Sequence, residues 1–551
     1  MEGRASEVMD LQSQRPRQTL YPGAAKDVLQ VLLLIAAGVF FCLHFLHLQA
    51  DFPNNSPWMD WAKYTDEGWY GDAAIRHFQL GRWYVPGDFN PAVALPVWPL
   101  LEAGVFRVTG VGVVPARALS VAVFGMTLLS AFALLRRWSP DPKSALAPAA
   151  AVLLLAVSPF CYVFSRMAVL EPLLVLLMLL ALLSASSIDP EATSAWQRWW
   201  PVLALGALFP LMVLTKTTAV FLFPAILWMV WARAGYRWRP LLRQGGAAAG
   251  LGGVLWLLYY GLVVRPHFLD DYKYLFSANG YNGTTLQNFP EVIAAMVRDG
   301  MWIGPVIFPL ALVMGVVALL RFRQLLRNPL PASLMLWAAG YATFLVYHDN
   351  LQPRYYLVVA IPLTLLVPLV LEEIWSRTGI LAGQASVIAM AGVLLAVAAT
   401  DAGKTLRYVR SPEYTFIHAA DSIRQIIQSD GGHSRLVLSI SGSDLSLMTG
   451  LPSICDDFGT MELEERVATY RPGWYVSWNQ VDDDKMDALT PKFHLERVAA
   501  FPTMDDPERN LLILYRLDPA NGRRRIRRRK PIPKLLQTKM GQQPSVSQLV
   551  H

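Results

Sequence analysis

The amino-acid sequence predicts a polytopic α-helical membrane protein of about eleven transmembrane helices with a small C-terminal α/β domain. Of its 551 residues, 54% are hydrophobic and 16% are charged, which is more apolar surface than a soluble protein can bury. The apolar stretches end near Asp401, where the composition becomes that of a soluble domain. The chain therefore divides into a membrane domain and a soluble region.

A basic arm, residues 1–27, precedes the first apolar stretch at 28–48. That stretch is longer than the core of a typical secretion signal, so we expect an uncleaved anchor. Further spans are expected at 113–135, 146–164, 168–186, 199–214, 218–232, 246–264, 301–320, 332–347, 355–371 and 380–399. Residues 28–400 then form the membrane domain, with a long first outer loop at 49–112.

Lys and Arg residues are concentrated in alternate loops, and this pattern predicts the orientation in the bilayer. Cytoplasmic loops retain positive charge. The basic loop residues are Arg136, Arg137, Lys143, Arg198, Arg233, Arg237, Arg239, Arg243, Arg321, Arg323 and Arg327. We therefore expect the first loop, the 265–300 loop and the C-terminal region to lie on the extracytoplasmic side of the membrane. In a bacterium, the membrane would be the cytoplasmic (inner) membrane.

The region 401–518 has the short alternating elements of an extracytoplasmic α/β domain. Helices are expected at 413–428 and 461–470, and strands at 435–440, 474–478, 493–500 and 511–517. The region lacks a G-x-G-x-x-G loop or a P-loop, so we expect it to dock an acceptor or cover the membrane domain. The tail, 519–551, carries a basic run at 523–530 and is expected to be disordered.

Two other function classes are disfavoured by composition. Cys42, Cys161 and Cys455 are too few and too apolar in setting for a disulfide framework or a thiolate metal cluster. The formal charge of +7 resides in short loops and the tail, so it reports orientation and not nucleic-acid binding.

Adjacent carboxylates, Asp66 and Glu67, follow the first span within the segment 65–72 (TDEGWYGD). Ionisable groups beside a membrane boundary are costly and are often functional. One carboxylate, Asp66, is expected to accept a proton from an acceptor hydroxyl, while Glu67 tunes or orients it. Tyr70 lies among interfacial aromatics in the same loop. The alternative is that the pair caps a helix beginning near Gly71 or is simply solvated.

The motifs, taken in order, resemble those of the lipid-dependent membrane glycosyltransferases of the GT-C type, especially the protein O-mannosyltransferase and lipid A aminoarabinose transferase families. The acidic pair resembles their first-loop motif. Further matching stretches are 81–86 (GRWYVP), Ser165-Arg166 with 171–173 (EPL), 214–216 (LTK) and 352–356 (QPRYY). The resemblance covers about the first 400 residues and implies a polyprenyl-phosphate sugar donor.

This resemblance implies transfer of a hexosyl or pentosyl group to a hydroxyl of a glycan, lipid or protein on the outer face, with inversion. The departing phosphate requires positive charge, and Lys216, Arg354 and Arg265 are the candidates. The alternatives are snorkelling for Lys216 and a structural ion pair for Arg354. Tyr355 accompanies Arg354 as a supporting residue.

Arg166 and Glu171 lie five positions apart around a turn. They are expected to support the site by pairing with each other, which would make Glu171 a scaffold residue.

A divalent cation remains open as a cofactor. Oxygen-rich ligation would suit Mg²⁺ or Mn²⁺, and His348 and Asp349 are the residues that would join Asp66 or Glu67. No ligand spacing requires such a site.

A polytopic transporter or lipid flippase is the alternative function. Such a protein is expected to place its charges at mid-span and to contain repeated halves. This sequence places them at outer helix ends. A purely structural scaffold would not need the clustered outer charges.

Overall fold

The computed structural model describes residues 23–139, 146–278, 283–321, 326–377, 381–440, 442–507 and 509–520. All but the first two residues of the tail predicted to be disordered, and most of the basic N-terminal arm, lie outside these residues. Pro519, the first residue of that predicted tail, is the last residue of a strand. Within them, seven helices are long and apolar enough to cross a membrane, or eight if one bent pair is counted as a single span. The polytopic helical class predicted from the sequence is therefore confirmed.

The helices follow the predicted spans. They are Gly23–Leu43, Val113–Trp138, Leu146–Val157, Pro159–Phe164, Leu170–Ser186, Ala195–Thr215, Phe223–Arg233, Trp238–Tyr259, Ile307–Leu320, Leu330–His348, Tyr356–Arg377 and Leu381–Arg410. Three of the predicted spans correspond to the shorter apolar helices Leu146–Val157, Leu170–Ser186 and Thr217–Arg233.

One predicted span is broken. The sequence predicts a helix over 301–320, but the structure bends by 113° between Phe289–Trp302 and Ile307–Leu320. Gly304, with φ of 156°, and Pro305 occupy the break. Proline cannot donate a helical hydrogen bond, and glycine tolerates the positive φ, so the helix restarts beyond them.

Two helices form the centre of the bundle. Leu170–Ser186 is buried along nearly its whole length, and most of the span Pro353–Trp375 is also buried. Both are apolar on every face, which suits an internal helix and not one with a solvated side. Each has a charged residue at its second position, Glu171 or Arg354, at the same end of the bundle.

Two of the basic loop residues, Arg137 and Arg233, lie at the opposite end of the bundle. Arg137 Nη1 donates to Ser187 Oγ over 2.8 Å, and Arg233 Nε donates to the Ile188 carbonyl over 2.9 Å. The helix Leu170–Ser186 separates this end from Glu171 by roughly 25 Å, at 1.5 Å per residue. We call these the basic end and the Glu171 end.

The first loop lies at the Glu171 end and contains two helices, Asp66–Leu80 and Val97–Thr109, with 3₁₀ turns at Trp61–Lys63 and Pro91–Val93. We call Asp66–Leu80 the Asp66 helix. It ends at Gly81, whose φ of 71° is the left-handed conformation that terminates many helices.

The C-terminal region packs on this loop. The last long helix continues to Arg410, beyond the composition change at 401, and is followed by a mixed sheet. The strands are β1 (Val437–Leu438), β2 (Ser453–Ile454), β3 (Trp474–Trp478), β4 (Phe493–Pro502) and β5 (Leu511–Pro519). Their order is β2-β1-β3-β5-β4; β1 pairs in parallel with β2 and β3, while β5 pairs antiparallel with β3 and β4.

The predicted helices at 413–428 and 461–470 correspond to Thr415–Ser429 and Leu463–Tyr470. The sequence did not predict two further helices, Gly442–Thr449 and Asp483–Leu489. Both are at most eight residues long, too short to show a clear apolar period.

Candidate active site

A cavity of about 320 Å³ opens at the Glu171 end, between the first loop, several bundle helices and the C-terminal region. Its charged and polar lining residues are Asp66, Tyr70, Lys216, Thr217, Thr218, His348, Asn350, Arg354 and Tyr355. Its aromatic lining residues are Trp69, Tyr70, Phe89, Phe276, Phe344, Tyr355 and Phe458. The cavity therefore combines a carboxylate and two cations with aromatic walls.

Asp66 is the first residue of the Asp66 helix, and it is only 2% exposed. Its Oδ1 accepts from Thr65 Oγ1 over 3.0 Å, and its Oδ2 lies 2.8 Å from Arg354 Nη2. Burial raises the pKa of Asp66, while the positive charge of Arg354 opposes that rise. The carboxylate thus sits beside a cation that favours its ionised form.

Arg354 follows Pro353 in a 3₁₀ turn and is held by two carboxylates. Its guanidinium pairs with both Asp60 and Asp66, and its backbone N–H donates to Asp60 Oδ2 over 2.7 Å. Its Nε has no hydrogen-bond partner among the described residues. The guanidinium lies 4.7 Å from the centre of the Tyr355 ring.

Lys216 contacts the same tyrosine ring. Its Nζ is 4.3 Å from the centre of the Tyr355 ring and 2.5 Å from Glu171 Oε1. The helix Ala195–Thr215 ends just before Lys216, where the backbone becomes extended. Both predicted phosphate-binding cations therefore lie close to the Tyr355 ring centre, at 4.3 and 4.7 Å.

The predicted pairing of Arg166 with Glu171 is wrong. Glu171 pairs with Lys216, and Arg166 Nη2 instead donates to the carbonyls of Leu46 and His47 over 2.6 and 2.8 Å. Arg166 lies against the end of the first span and is absent from the cavity lining. The turn between the two residues directs their side chains to different neighbours.

Glu67 also lies away from the cavity. Its two oxygens accept from Arg117 Nε and Nη2 over 2.8 and 2.5 Å, and Oε1 accepts the Ala168 N–H over 2.9 Å. Successive helical residues point about 100° apart, so only one of the adjacent carboxylates can face the cavity. That residue is Asp66.

Arg265, the third predicted phosphate-binding residue, lies in the short helix Arg265–His267. Its side chain is exposed and does not line the cavity.

The four residues suggested for a metal site are not brought together. Glu67 forms an ion pair with Arg117, and Asp349 is an exposed residue at a helix end with φ of 48°. Of the four, only Asp66 and His348 line the cavity. No group of three or more His, Cys, Asp or Glu side chains suited to a metal occurs within the described ranges. These residues do not fit a divalent cation.

Four important contacts were not predicted from the sequence. Asp60 shares Arg354, Arg117 binds Glu67, Asp444 contacts the Asp66 helix, and Phe458 lines the cavity. A local signal existed only for Asp60, which precedes a short turn and accepts the Ala62 N–H over 2.8 Å as a helix cap.

An apolar groove of about 650 Å³ lies beside the cavity. It is formed by the helices on either side of Lys216 together with Trp238–Tyr259. Its lining includes Leu205, Phe209, Val213, Val220, Phe223, Leu227, Gly253 and Trp256. Because Thr217 and Thr218 line the cavity and Val213 and Val220 line the groove, one short segment borders both.

Comparisons with known proteins agree with this architecture. Residues 91–260 match the family profile described as dolichyl-phosphate-mannose-protein mannosyltransferase. No curated protein matches the chain.

Two solved structures of ArnT from Cupriavidus metallidurans have the same overall fold. The complex with undecaprenyl phosphate aligns with a TM-score of 0.56 at 16% identity, covering 88% of this chain and 97% of that one. The apo structure gives a TM-score of 0.57, also at 16% identity, covering 89% and 98%. The chain is thus an integral membrane protein with the GT-C fold, and it resembles the polyprenyl-phosphate-dependent glycosyltransferases.

Proposed function

We propose that this protein transfers a sugar from a polyprenyl-phosphate donor to a hydroxyl acceptor on the outer face of the membrane. The observation that carries the proposal is the position of Asp66, which faces a cavity also lined by Lys216 and Arg354. The matched family profile is named for a dolichyl-phosphate-mannose donor, and one ArnT structure holds undecaprenyl phosphate. Both names support a lipid-linked donor for this chain.

Asp66 acts as the general base. The acceptor oxygen attacks the anomeric carbon, its proton passes to the Asp66 carboxylate, and the bond from that carbon to the phosphate oxygen breaks. The phosphate leaves with the bonding electrons as polyprenyl phosphate. A single displacement of this kind inverts the configuration at the anomeric carbon.

Arg354 and Lys216 stabilise the departing phosphate. Each is already paired with a carboxylate, but Arg354 retains a buried Nε without a described partner, and both cations face the cavity. Charge-assisted hydrogen bonds strengthen as negative charge develops on the phosphate oxygens, which favours the transition state. Tyr355 contacts both cations through its ring.

The apolar groove holds the prenyl chain. It borders the segment that carries Lys216, so a lipid lying in the groove would place its phosphate at the cavity. A continuous apolar surface of this kind suits an isoprenoid tail.

The aromatic wall accommodates the sugar and the acceptor. Trp69, Phe89 and Phe458 contact one another with ring centres 5.0 to 5.3 Å apart. Aromatic rings bind the apolar faces of sugars while excluding water from the reacting atoms. The identity of the sugar is not specified by these contacts.

The test begins with a strain that lacks this protein. We expect a lipid-linked sugar and an underglycosylated acceptor to accumulate. The purified wild-type protein in vesicles should then consume that lipid, release polyprenyl phosphate and modify the acceptor fraction. Asp66→Asn should abolish release while leaving expression near normal, because an amide cannot accept the proton.

Two further variants serve as controls for this test, and a flippase would give a different result. Asp189→Asn removes an exposed carboxylate at the basic end and should keep parental activity. Glu67→Gln should be milder than Asp66→Asn, since it weakens the pair with Arg117 and leaves the base intact. Full turnover by Asp66→Asn would remove this residue from the mechanism. A flippase would move the lipid between leaflets without releasing polyprenyl phosphate.

A further inference from the structure

We infer that the C-terminal domain completes the active site, with Asp444 acting as a positioning residue that caps the Asp66 helix from outside it. The inference rests on the proposed role of Asp66. It assigns the domain a part in catalysis beyond the acceptor docking or structural cover expected from the sequence.

The Asp66 helix lacks a cap of its own. The first amide groups of any helix have no partner within it, and a side chain at the preceding position usually accepts from the second or third. Here the preceding residue, Thr65, makes no such bond. Its hydroxyl donates to Asp66 Oδ1 instead.

Asp444 supplies the missing acceptor. Its Oδ1 accepts the N–H of Gly68, the third residue of the helix, across 376 positions of sequence. Asp444 is 3% exposed and lies in the helix Gly442–Thr449 of the C-terminal domain. The carboxylate therefore takes the place that a local cap residue would fill, two residues from Asp66.

The contact is close, and it explains a glycine in the motif. A Cβ at position 68 would overlap the backbone of Ser443 and Asp444. Only glycine allows the two helices to approach so closely. The glycine after Asp66-Glu67 thus serves the docking of the domain.

Further bonds hold the same interface. Ser443 Oγ donates to Asp72 Oδ1 over 2.5 Å, and Trp69 Nε1 donates to the Ile440 carbonyl over 3.1 Å. Asp72 in turn pairs with Arg76 over 2.6 Å. These contacts define the rotation of the Asp66 helix, and with it the direction of the Asp66 side chain.

The C-terminal domain also reaches the cavity directly. Phe458 lines it and packs on Trp69 with ring centres 5.0 Å apart. Displacement of the domain would therefore alter both the base and the aromatic wall.

The test compares three variants of the full-length protein. Asp444→Ala removes the cap. Asp444→Asn keeps an oxygen that can accept the Gly68 N–H. Ser446→Ala is the matched control, because Ser446 Oγ bonds Leu451 and Ser453 within the C-terminal domain. The backbone carbonyl of Ser446 accepts from Gln79 Nε2 of the Asp66 helix, and this bond is kept in the variant.

We expect Asp444→Ala to lower kcat by about 10- to 100-fold with little change in the KM for the lipid donor, since small misplacement of a reacting group costs this much. Asp444→Asn should stay within about threefold of the parent, as should Ser446→Ala. Hydrogen–deuterium exchange of peptides covering 64–72 should rise in Asp444→Ala alone.

The exchange measurement does not depend on the reaction. If the wild-type protein shows no transfer, the proposed function fails while the exchange data still report on the cap. Unchanged exchange in Asp444→Ala would overturn the capping contact. Faster exchange with a parental rate, or a loss of rate in Asp444→Asn with normal exchange, would overturn the positioning role.

Discussion

Arg354 pairs with two carboxylates at once, Asp60 and Asp66, so the proposed catalytic base shares its counter-ion with a second buried acid. Asp60 is 3% exposed and Arg354 is 5% exposed, which limits screening by water. The ionisation of Asp66 therefore depends on both neighbours, with opposite signs. Arg354 lowers the pKa of Asp66, and Asp60 raises it.

This relationship predicts opposite pH shifts for two variants. A general base must be deprotonated, so the acidic limb of the rate profile follows the pKa of Asp66. Arg354→Met should move that limb to higher pH, and Asp60→Asn should move it to lower pH. The measurement is kcat against pH in detergent at saturating donor. Shifts in the same direction, or none in either variant, would contradict Asp66 as the base.

Arg354→Lys keeps the positive charge at this position, but we expect it to recover only part of the activity that Arg354→Met loses. The guanidinium reaches both carboxylates at once, and lysine cannot reproduce that fork. The rate of Arg354→Lys should therefore remain well below parental, with its pH profile closer to parental than that of Arg354→Met. A fully active lysine variant would show that only the charge matters.

Lys216 offers a way to separate phosphate binding from ion pairing. Lys216→Met leaves the fully buried Glu171 without its partner, which costs stability as well as any role in catalysis. The double variant Glu171→Gln/Lys216→Met removes both charges and should recover thermal stability. If Lys216 holds the donor phosphate, the double variant should still have a lower kcat/KM for the donor than the parent. The decrease should correspond to at most a few kcal/mol.

The measurement is the rate against donor concentration, together with thermal unfolding in detergent. Lys216→Arg should recover part of the activity. If the stable double variant shows the same rate at each donor concentration as the parent, Lys216 serves only in the ion pair with Glu171. Arg354 would then hold the phosphate without help from Lys216.

A larger side chain at one glycine should block the apolar groove, and the same substitution at a nearby glycine outside the groove is the control. A Cβ at Gly253 meets no atom within 4 Å, and this residue lines the groove. Gly253→Leu should occupy the space proposed for the prenyl chain and raise the donor KM about tenfold or more. A change of this size corresponds to losing lipid contact with an apolar area of roughly one buried side chain.

Gly250→Leu is the matched control. Gly250 lies in the same helix, a Cβ at this position would also meet no atom within 4 Å, and the residue is not part of the groove lining. Both substitutions raise helix propensity equally. An equal effect of the two variants on donor KM would place the lipid elsewhere.

The orientation in the membrane remains a prediction from the positive-inside pattern. Arg137 and Arg233, from two of the basic loops, lie at the same end of the bundle, which agrees with that pattern. Asp484→Cys, exposed in the C-terminal domain, should react with a membrane-impermeant maleimide in intact spheroplasts. Asp189→Cys, exposed at the basic end, should react only after permeabilisation.

The parent protein, with its native cysteines, measures the background of this labelling. Labelling in the reverse pattern would place the cavity in the cytoplasm and contradict transfer on the outer face. Equal labelling of both variants in intact spheroplasts would contradict the predicted topology.

The sequence by itself determined the features that depend on local pattern. Apolar length predicts the membrane helices, because a helix in lipid must satisfy its own backbone and present apolar side chains. A short run rich in aromatic residues predicts the strand β3, found at Trp474–Trp478 as expected. Motif order also predicted Asp66, Lys216 and Arg354 as candidate site residues, and the fold brings these three residues to one cavity.

Only the tertiary structure decided which of these charges are partners. Glu171 binds Lys216, 45 positions away, and not Arg166, five positions away. Glu67 binds Arg117 while its neighbour Asp66 binds Arg354, because adjacent helical residues face different directions. The cap on the Asp66 helix comes from Asp444. Such pairings depend on how distant elements pack, and no local periodicity encodes that arrangement.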